Sequence, residues 1–231
     1  MKNKILFLVV ASMLAIVGLS GCKDVTTAGL TDITYYPTIT ITGDATVYIA
    51  EGAQYTDAGA TAVENGQSTD VTTTSNVDTS TLGSYSVTYT ATNADGFSAS
   101  ATRTVVVYDP NLSTMDLSGT YSANVVRNGT ISYNGNPVTL TAVDIPGVTG
   151  IYQISDWIGG FYDKGYGYGA AYAFTGIIQI NGNNEVVELN MSNAWGDPFD
   201  SVTGTYDPAT GVISYTADWL GKYSFVVDMS K

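Results

Sequence analysis

From Thr38 to Lys231 the chain switches between apolar and polar residues with a period of two. The switching breaks at short intervals on glycines and on pairs such as Asn65-Gly66, Asp95-Gly96, Asn128-Gly129 and Asn181-Gly182. Side chains that alternate in this way lie on opposite faces of an extended strand, and Asn-Gly or Asp-Gly supplies the positive φ angles of a tight reversal. No window of about twelve residues in this region sustains a 3.6-residue period with capping residues. The chain is therefore expected to be all-β, with almost no helix outside its N-terminal segment.

That segment reads differently. Met1-Lys2-Asn3-Lys4 is a short basic head, and an apolar run follows from Ile5 to Leu19. The run is too short to cross a hydrocarbon core, which takes about 20 helical residues. Leu19-Ser20-Gly21-Cys22 follows, with the protein's single cysteine last. These residues resemble a bacterial lipobox, which implies cleavage after residue 21 and acylation of Cys22. The expected mature chain keeps six basic residues against 21 carboxylates, a net charge of −15. Such a balance repels nucleic acid and anionic lipid, because phosphate recognition runs on lysine and arginine. Contact with a membrane is expected through the lipid only. With its one thiol acylated the protein forms no disulfide, so core packing alone must hold it.

Residues 22–37 carry no apolar periodicity and read as a tether. The first folded unit spans 38–109. Tyr85, Val87, Tyr89 and Ala91 share one strand face, and so do Val105 and Val107. Six or seven short strands fit an antiparallel sandwich. The words "ITITGDATVYIAEGAQYTDAGATAVENG" and "VDTSTLGSYSVTYTATNADGFSASATRTVVV" resemble the bacterial Ig-like modules of secreted toxins, adhesins and carbohydrate-active proteins. The loop 66–70 departs from that family's usual acidic loop. The resemblance implies a spacer.

After a linker at 110–115, the second unit runs from 115 to 231. Its strand candidates are 119–127, 130–133, 137–144, 148–155, 171–180, 185–192, 201–206, 211–217 and 222–229. Consecutive short antiparallel strands close best as a lipocalin-like meander barrel. This half resembles the C-terminal domain of small lipoproteins encoded beside glycan-uptake systems in Bacteroidota. By that analogy the protein is an accessory on the outer membrane, exposed at the cell surface, with glycan-uptake proteins as partners.

In a meander, alternate turns lie at opposite ends. On this strand count the turns at 128–129, 145–147, 181–184 and 207–210 fall at one end. Those at 134–136, 156–170, 193–200 and 218–221 fall at the other. The second set carries all three tryptophans, Trp157, Trp195 and Trp219, and a run rich in tyrosine and glycine, "DWIGGFYDKGYGYGAAYAF". Rings pack on the C–H face of a pyranose, and carboxylates accept its hydroxyls. Trp157, Tyr162, Tyr166, Tyr168, Trp195 and Trp219, with Asp163 and Asp197 as acceptors, form a candidate glycan-contacting end. The alternative is that the tryptophans plug the barrel and the tyrosines pack under a long loop. A third use of the same rings is contact with a protein partner in a surface complex.

Catalytic chemistry has little to work with. The chain has no histidine, which removes Ser-His-Asp and Cys-His arrangements and histidine metal sites. No phosphate-binding glycine loop and no calcium-loop motif is present, so no cofactor or metal is expected. Glycoside cleavage by a carboxylate pair stays open, with Asp156, Asp163, Asp197, Asp200 and Asp218 at the aromatic end. Each is equally explained as a turn-capping residue, and the protein is expected not to be an enzyme. Asp200-Ser201-Val202 also resembles the O-glycosylation site of Bacteroidota, which would modify Ser201.

Overall fold

In the computed structural model, which describes residues 33–231, the chain is built from fifteen strands and two short helical turns. The signal segment, Cys22 and residues 22–32 of the tether lie outside the described residues.

Seven strands make a sandwich: β1 (Thr38–Ile41), β2 (Thr46–Ala50), β3 (Ala60–Glu64), β4 (Gln67–Thr69), β5 (Thr72–Ser75), β6 (Gly83–Thr92) and β7 (Ser98–Tyr108). They form a three-stranded sheet, β1-β3-β4, and a four-stranded sheet, β2-β7-β6-β5. One pairing departs from the expected antiparallel pattern: β2 runs parallel to β7. Val87, Tyr89 and Val105 fill the core, with Ile39, Ile41 and Ile49 packed on them.

The other eight strands are β8 (Gly119–Arg127), β9 (Ile131–Ala142), β10 (Ile151–Ile154), β11 (Thr175–Ile180), β12 (Val186–Ser192), β13 (Phe199–Asp207), β14 (Val212–Trp219) and β15 (Tyr223–Ser230). Their order, β12-β11-β10-β9-β8-β15-β14-β13, is an up-and-down meander joined across β15 and β8. The remaining seam, between β12 and β13, is bridged by Glu185 and Thr205 and by the Tyr206 N–H donating to the Asn184 carbonyl at 2.8 Å. The barrel is nearly closed.

The strand count is eight, not nine. Residues 130–133 and 137–144 belong to one strand, β9, and Asn134-Gly135 is a bulge rather than a turn. Ala123 pairs with Asn136 and Val125 with Tyr133, so Asn134 and Gly135 together face Asn124. Gly135 takes a φ of +74°, and its N–H donates to Asn124 Oδ1 at 3.0 Å. An Asn-Gly pair supplies the same positive φ to a glycine bulge as to a hairpin, so local sequence does not separate them. Removing one turn moves 128–129 to the aromatic end and keeps 156–170, 193–200 and 218–221 together.

The connection at 110–115 is not a free linker. The Asp109 N–H donates to Gln179 Oε1 at 3.0 Å, and Gln179 Nε2 donates back to the Asp109 carbonyl at 2.9 Å. Leu112 bridges to Asn181, and the Ser113 N–H reaches the Ile180 carbonyl at 3.0 Å. Val106, Ile151 and Leu189 meet in a buried cluster with Leu82, Tyr108 and Leu112, which joins the outer face of β7 to the barrel. Val105, Val106 and Val107 are all fully buried for this reason: one face of β7 serves the sandwich and the other the barrel. Residues 36–231 thus form one compact unit.

Candidate functional site

The barrel end that carries 128–130, 155–174, 193–198 and 220–222 has a solid floor. Trp157 is fully buried. Its N–H donates to the Phe174 carbonyl at 2.7 Å, its indole N–H to the Asn190 carbonyl at 3.3 Å, and its own carbonyl accepts the Tyr215 hydroxyl at 2.7 Å. Gly176 makes this possible. A Cβ there would lie 2.0 Å from the Asn190 carbonyl oxygen and 2.7 Å from the indole nitrogen. Edge-to-face contacts with Tyr215 and Phe199, at 5.6 and 6.2 Å, complete the seat. Trp219 is buried too, donating its indole N–H to the Asp197 carbonyl at 3.2 Å and meeting Phe174 edge-on at 5.1 Å. Trp157 and Trp219 are therefore packing residues, a correction to their place among the ligand candidates: neither offers a face to solvent.

Above this floor the loop 156–174 folds as a π-helical turn, Phe161–Gly165, and a 3-10 turn, Ala170–Tyr172. Phe161 is fully buried, and Tyr162 almost so. Tyr162, Tyr166 and Tyr168 lie in near-parallel planes, 8–17° apart, with centroids separated by 5.5–6.1 Å. Tyr172 closes on Tyr168 at 5.3 Å and on Trp195 at 5.4 Å. Trp195 stands at 57° to Tyr162 with centroids 5.1 Å apart. Its loop is set by Asn193, whose Oδ1 accepts the N–H groups of Trp195 and Gly196 at 2.8 and 2.9 Å while its Nδ2 donates to the Asp197 carbonyl at 2.7 Å.

The result is two layers. Trp157, Phe161, Tyr162, Phe174 and Trp219 plug the barrel. Tyr166, Tyr168, Tyr172 and Trp195 lie over them, 37–54% exposed. The long loop lies at the same end as Trp195 and Trp219, and its rings fall at two depths, some sealed in the plug and some exposed to solvent.

The carboxylates divide as well. Asp156 is buried, with Oδ1 accepting the Ile158 N–H at 2.9 Å and no hydrogen-bond partner for Oδ2. Burial pushes its carboxyl up to about 7, against the pull of neighbouring backbone N–H groups, and the charge of Asp163 pushes the same way. A carboxyl so placed can hold a proton near neutral pH, but it is buried and offers no oxygen to solvent. Asp163 is largely covered, pairs with Lys164 at 2.9 Å, and leaves Oδ1 without a partner. Asp197 is exposed, two residues along the same loop from Trp195, and its backbone carbonyl accepts the Asn193 amide and the Trp219 indole N–H. Asp200 accepts the Gly221 N–H at 2.6 Å, and Asp218 accepts the Ser201 hydroxyl at 3.0 Å. Ser201 is exposed on β13. Among the described residues no three acidic side chains gather as a metal-binding group.

Two residues of this end escaped sequence reasoning. Tyr172 lies in the same aromatic run as Tyr166 and Tyr168, and only the 3-10 turn shows that it faces outward. Arg127 stands beside Asn128-Gly129, which the extra strand had assigned to the wrong end. Its guanidinium sits 4.7 Å from the Phe161 ring centroid, 5.2 Å from that of Tyr223 and 5.7 Å from that of Tyr166. It donates to the hydroxyls of Tyr162 and Tyr166, each at 3.2 Å.

Comparison with known proteins places the two halves. Residues 39–107 match the model of the bacterial surface protein Ig-like domain, and residues 109–231 match a family model described as a C-terminal domain. The chain is 31% identical to the lipoprotein BT2262 from Bacteroides thetaiotaomicron, over 85% of this chain and all of that one, with a TM-score of 0.45. A second solved structure, the CBM51-2 and INT domains of Clostridium perfringens ZmpB in complex with GlcNAc, is 16% identical over 46% of this chain and 28% of that one, with a TM-score of 0.27. No curated protein matches. On its identity to BT2262 and its match to the C-terminal domain model, the chain belongs to a family of Bacteroides surface lipoproteins, with a bacterial surface Ig-like domain ahead of the family's C-terminal domain.

Proposed function

We propose that this protein is a non-enzymatic lipoprotein of the outer membrane, anchored through Cys22, that contacts glycan at the cell surface as an accessory of a polysaccharide-uptake system. The Ig-like sandwich serves as spacer and the barrel as the contacting unit. One observation carries the reading: Tyr166, Tyr168, Tyr172 and Trp195 form a continuous exposed ring surface on top of a fully packed aromatic floor. Exposed aromatic area on a rigid base is costly to leave wet, and it loses little entropy when a sugar face settles on it. Asp197 beside Trp195 adds an acceptor for hydroxyls. The non-enzymatic part rests on the aspartates of this end: Asp156 is covered, and Asp200 and Asp218 are engaged with Gly221 and Ser201.

Affinity electrophoresis through gels cast with individual polysaccharides tests this reading. At least one polymer should retard the parent protein, and Trp195→Ala or Tyr168→Ala should abolish that retardation without lowering the melting temperature by more than a few degrees. Unretarded parent protein across a broad panel, with the same variants losing a co-purifying surface protein, would transfer the rings to protein contact. Cleavage of any polymer by the parent would remove the non-enzymatic assignment.

A further inference from the structure

The structure describes five cationic side chains, and three of them gather at the ring-bearing end. Arg103 is locked inside the sandwich, and Lys231 donates to the Ser118 carbonyl beside Gly119, at the opposite end of β8. Lys164, Arg127 and Lys222 belong to the aromatic end. Lys164 is paired with Asp163. Arg127 and Lys222 have no carboxylate within ion-pair distance among the described residues, in a chain with 21 carboxylates.

The two unneutralised cations share one ring. The Arg127 guanidinium is 5.2 Å and the Lys222 ammonium 5.0 Å from the Tyr223 centroid. Rings partly compensate a cation through their negative faces. Asp200 and Asp218 line the same depression as Lys222 and keep their charge while accepting the Gly221 N–H and the Ser201 hydroxyl, yet neither comes within ion-pair distance of Lys222 or Arg127. Arg127 also keeps donors in reserve. A guanidinium has five N–H groups in a planar fork, and the hydrogen bonds of Arg127 go to two neutral phenols, Tyr162 and Tyr166. The second of these is a member of the exposed ring surface. A fork with spare donors at the margin of a sugar-sized aromatic shelf matches a planar anion carried on a sugar ring.

We infer that this end takes an acidic glycan, a polymer with uronate residues whose carboxylate bonds Arg127 while the pyranose lies on the Tyr166–Tyr168–Trp195 surface. The inference rests on the glycan reading above and names its substrate class. Lys222 supplies the second positive charge, and the exposed Asp197 on the Trp195 loop is the acceptor for hydroxyls.

The test compares each uronan with its own carboxyl-reduced, neutral form, using polygalacturonate, alginate and hyaluronan in affinity gels. At least one uronan should retard the parent while its reduced form does not, and raising the salt to roughly the molar range should weaken the effect, since exposed ion pairs are screened there. Arg127→Gln should weaken binding roughly tenfold or more, as expected for losing a charge-assisted pair. Arg127→Lys, which keeps the charge and loses the fork, should recover only part of it. Because Arg127 also braces Tyr162 and Tyr166, Lys222→Gln serves as the second variant: its side chain makes no hydrogen bond to the plug, and it should weaken uronan binding with an unchanged melting curve. Equal retardation by a uronan and its reduced form overturns the acidic class and leaves glycan contact standing. Retardation by neutral polymers alone does the same. No retardation by any polymer, acidic or neutral, overturns both.

Discussion

The two buried or half-buried arginines of this protein show what a guanidinium does in opposite settings. In the sandwich, Arg103 is 1% exposed, pairs with Asp57, and donates to the carbonyls of Thr42 and Asp44 and to the Tyr89 hydroxyl. Asp57 is in turn bonded by the hydroxyls of Tyr55 and Tyr89 and by the Gly59 N–H. Burial raises the Asp57 carboxyl, but these donors and the guanidinium outweigh it and hold the group below the usual range. Tyr89 is pushed up to about 12 by burial and by the neighbouring carboxylate. Every donor is answered inside the fold, and the network clasps the 42–59 segment onto β7. In the barrel, Arg127 has rings and phenols around it and no carboxylate. The first arrangement is complete in the folded chain. The second has capacity left over, and that is what separates a structural charge from one available to a ligand.

The comparison can be broken at its foundations or at its surface, and the expected effects fall in that order. Trp157→Ala should remove the floor of the ring-bearing end and cost about 3–5 kcal/mol, the range for large buried aromatics, measured by denaturant unfolding. A loss under about 1 kcal/mol would mean that the plug is not what supports the shelf. Asp57→Ala should leave Arg103 buried without its anion and cost about 3 kcal/mol. Polysaccharide retardation should be unchanged in refolded material, because the clasp is remote from the barrel end. If the loss is small, the sandwich arginine is not the closed system described above.

Asp156 gives a pH-dependent effect of intermediate size. Its folded-state carboxyl, pushed up to about 7, lies well above the ordinary carboxylate range, so the folded chain holds a proton that the unfolded chain has already released. Stability from this group is therefore complete below about pH 4 and is lost as pH rises through 7. Glu188, raised by burial, acts in the same direction. Asp156→Asn keeps an acceptor for the Ile158 N–H and should raise stability at pH 8 by on the order of 2 kcal/mol, flattening the profile between pH 5 and 8. An unchanged profile in the variant would show that Asp156 is ionised in the fold. The smallest effect belongs to the surface: Trp195→Ala and Tyr168→Ala should each cost less than about 1 kcal/mol of stability, sharpening the contrast between shelf and floor.

The limits of sequence reasoning fall on particular residues. The tryptophan-bearing turns were found at one end by turn parity, and they stayed together although the strand count was off by one, because the error lay upstream of all three. The same error hid Arg127. Asn134-Gly135 and Asn128-Gly129 carry the same local signal, and only the pairing of β8 with β9 decides that one is a bulge and the other a hairpin. The segment 110–115 carries no strand periodicity of its own, so local sequence marks it only as a connection between two units. What ties it down comes from β11 and the turn after it: Gln179 holds Asp109, Ile180 accepts the Ser113 N–H, and Asn181 bridges to Leu112.

Alternation of apolar and polar residues, punctuated by glycine turns, was enough by itself to determine that this chain is all-β, that a sandwich precedes a meander barrel, and that rings concentrate at one barrel end. These are properties of period and order along the chain, and local backbone geometry enforces them. Depth is not such a property. Trp157 and Trp195 occupy similar words in the sequence, yet one is sealed and the other is 43% exposed. The difference follows from Gly176 leaving room for one indole against β12 and from Asn193 fixing the other on a raised loop. Burial is decided by neighbours brought in from distant positions, so only the tertiary structure could divide the aromatic run into a plug and a surface.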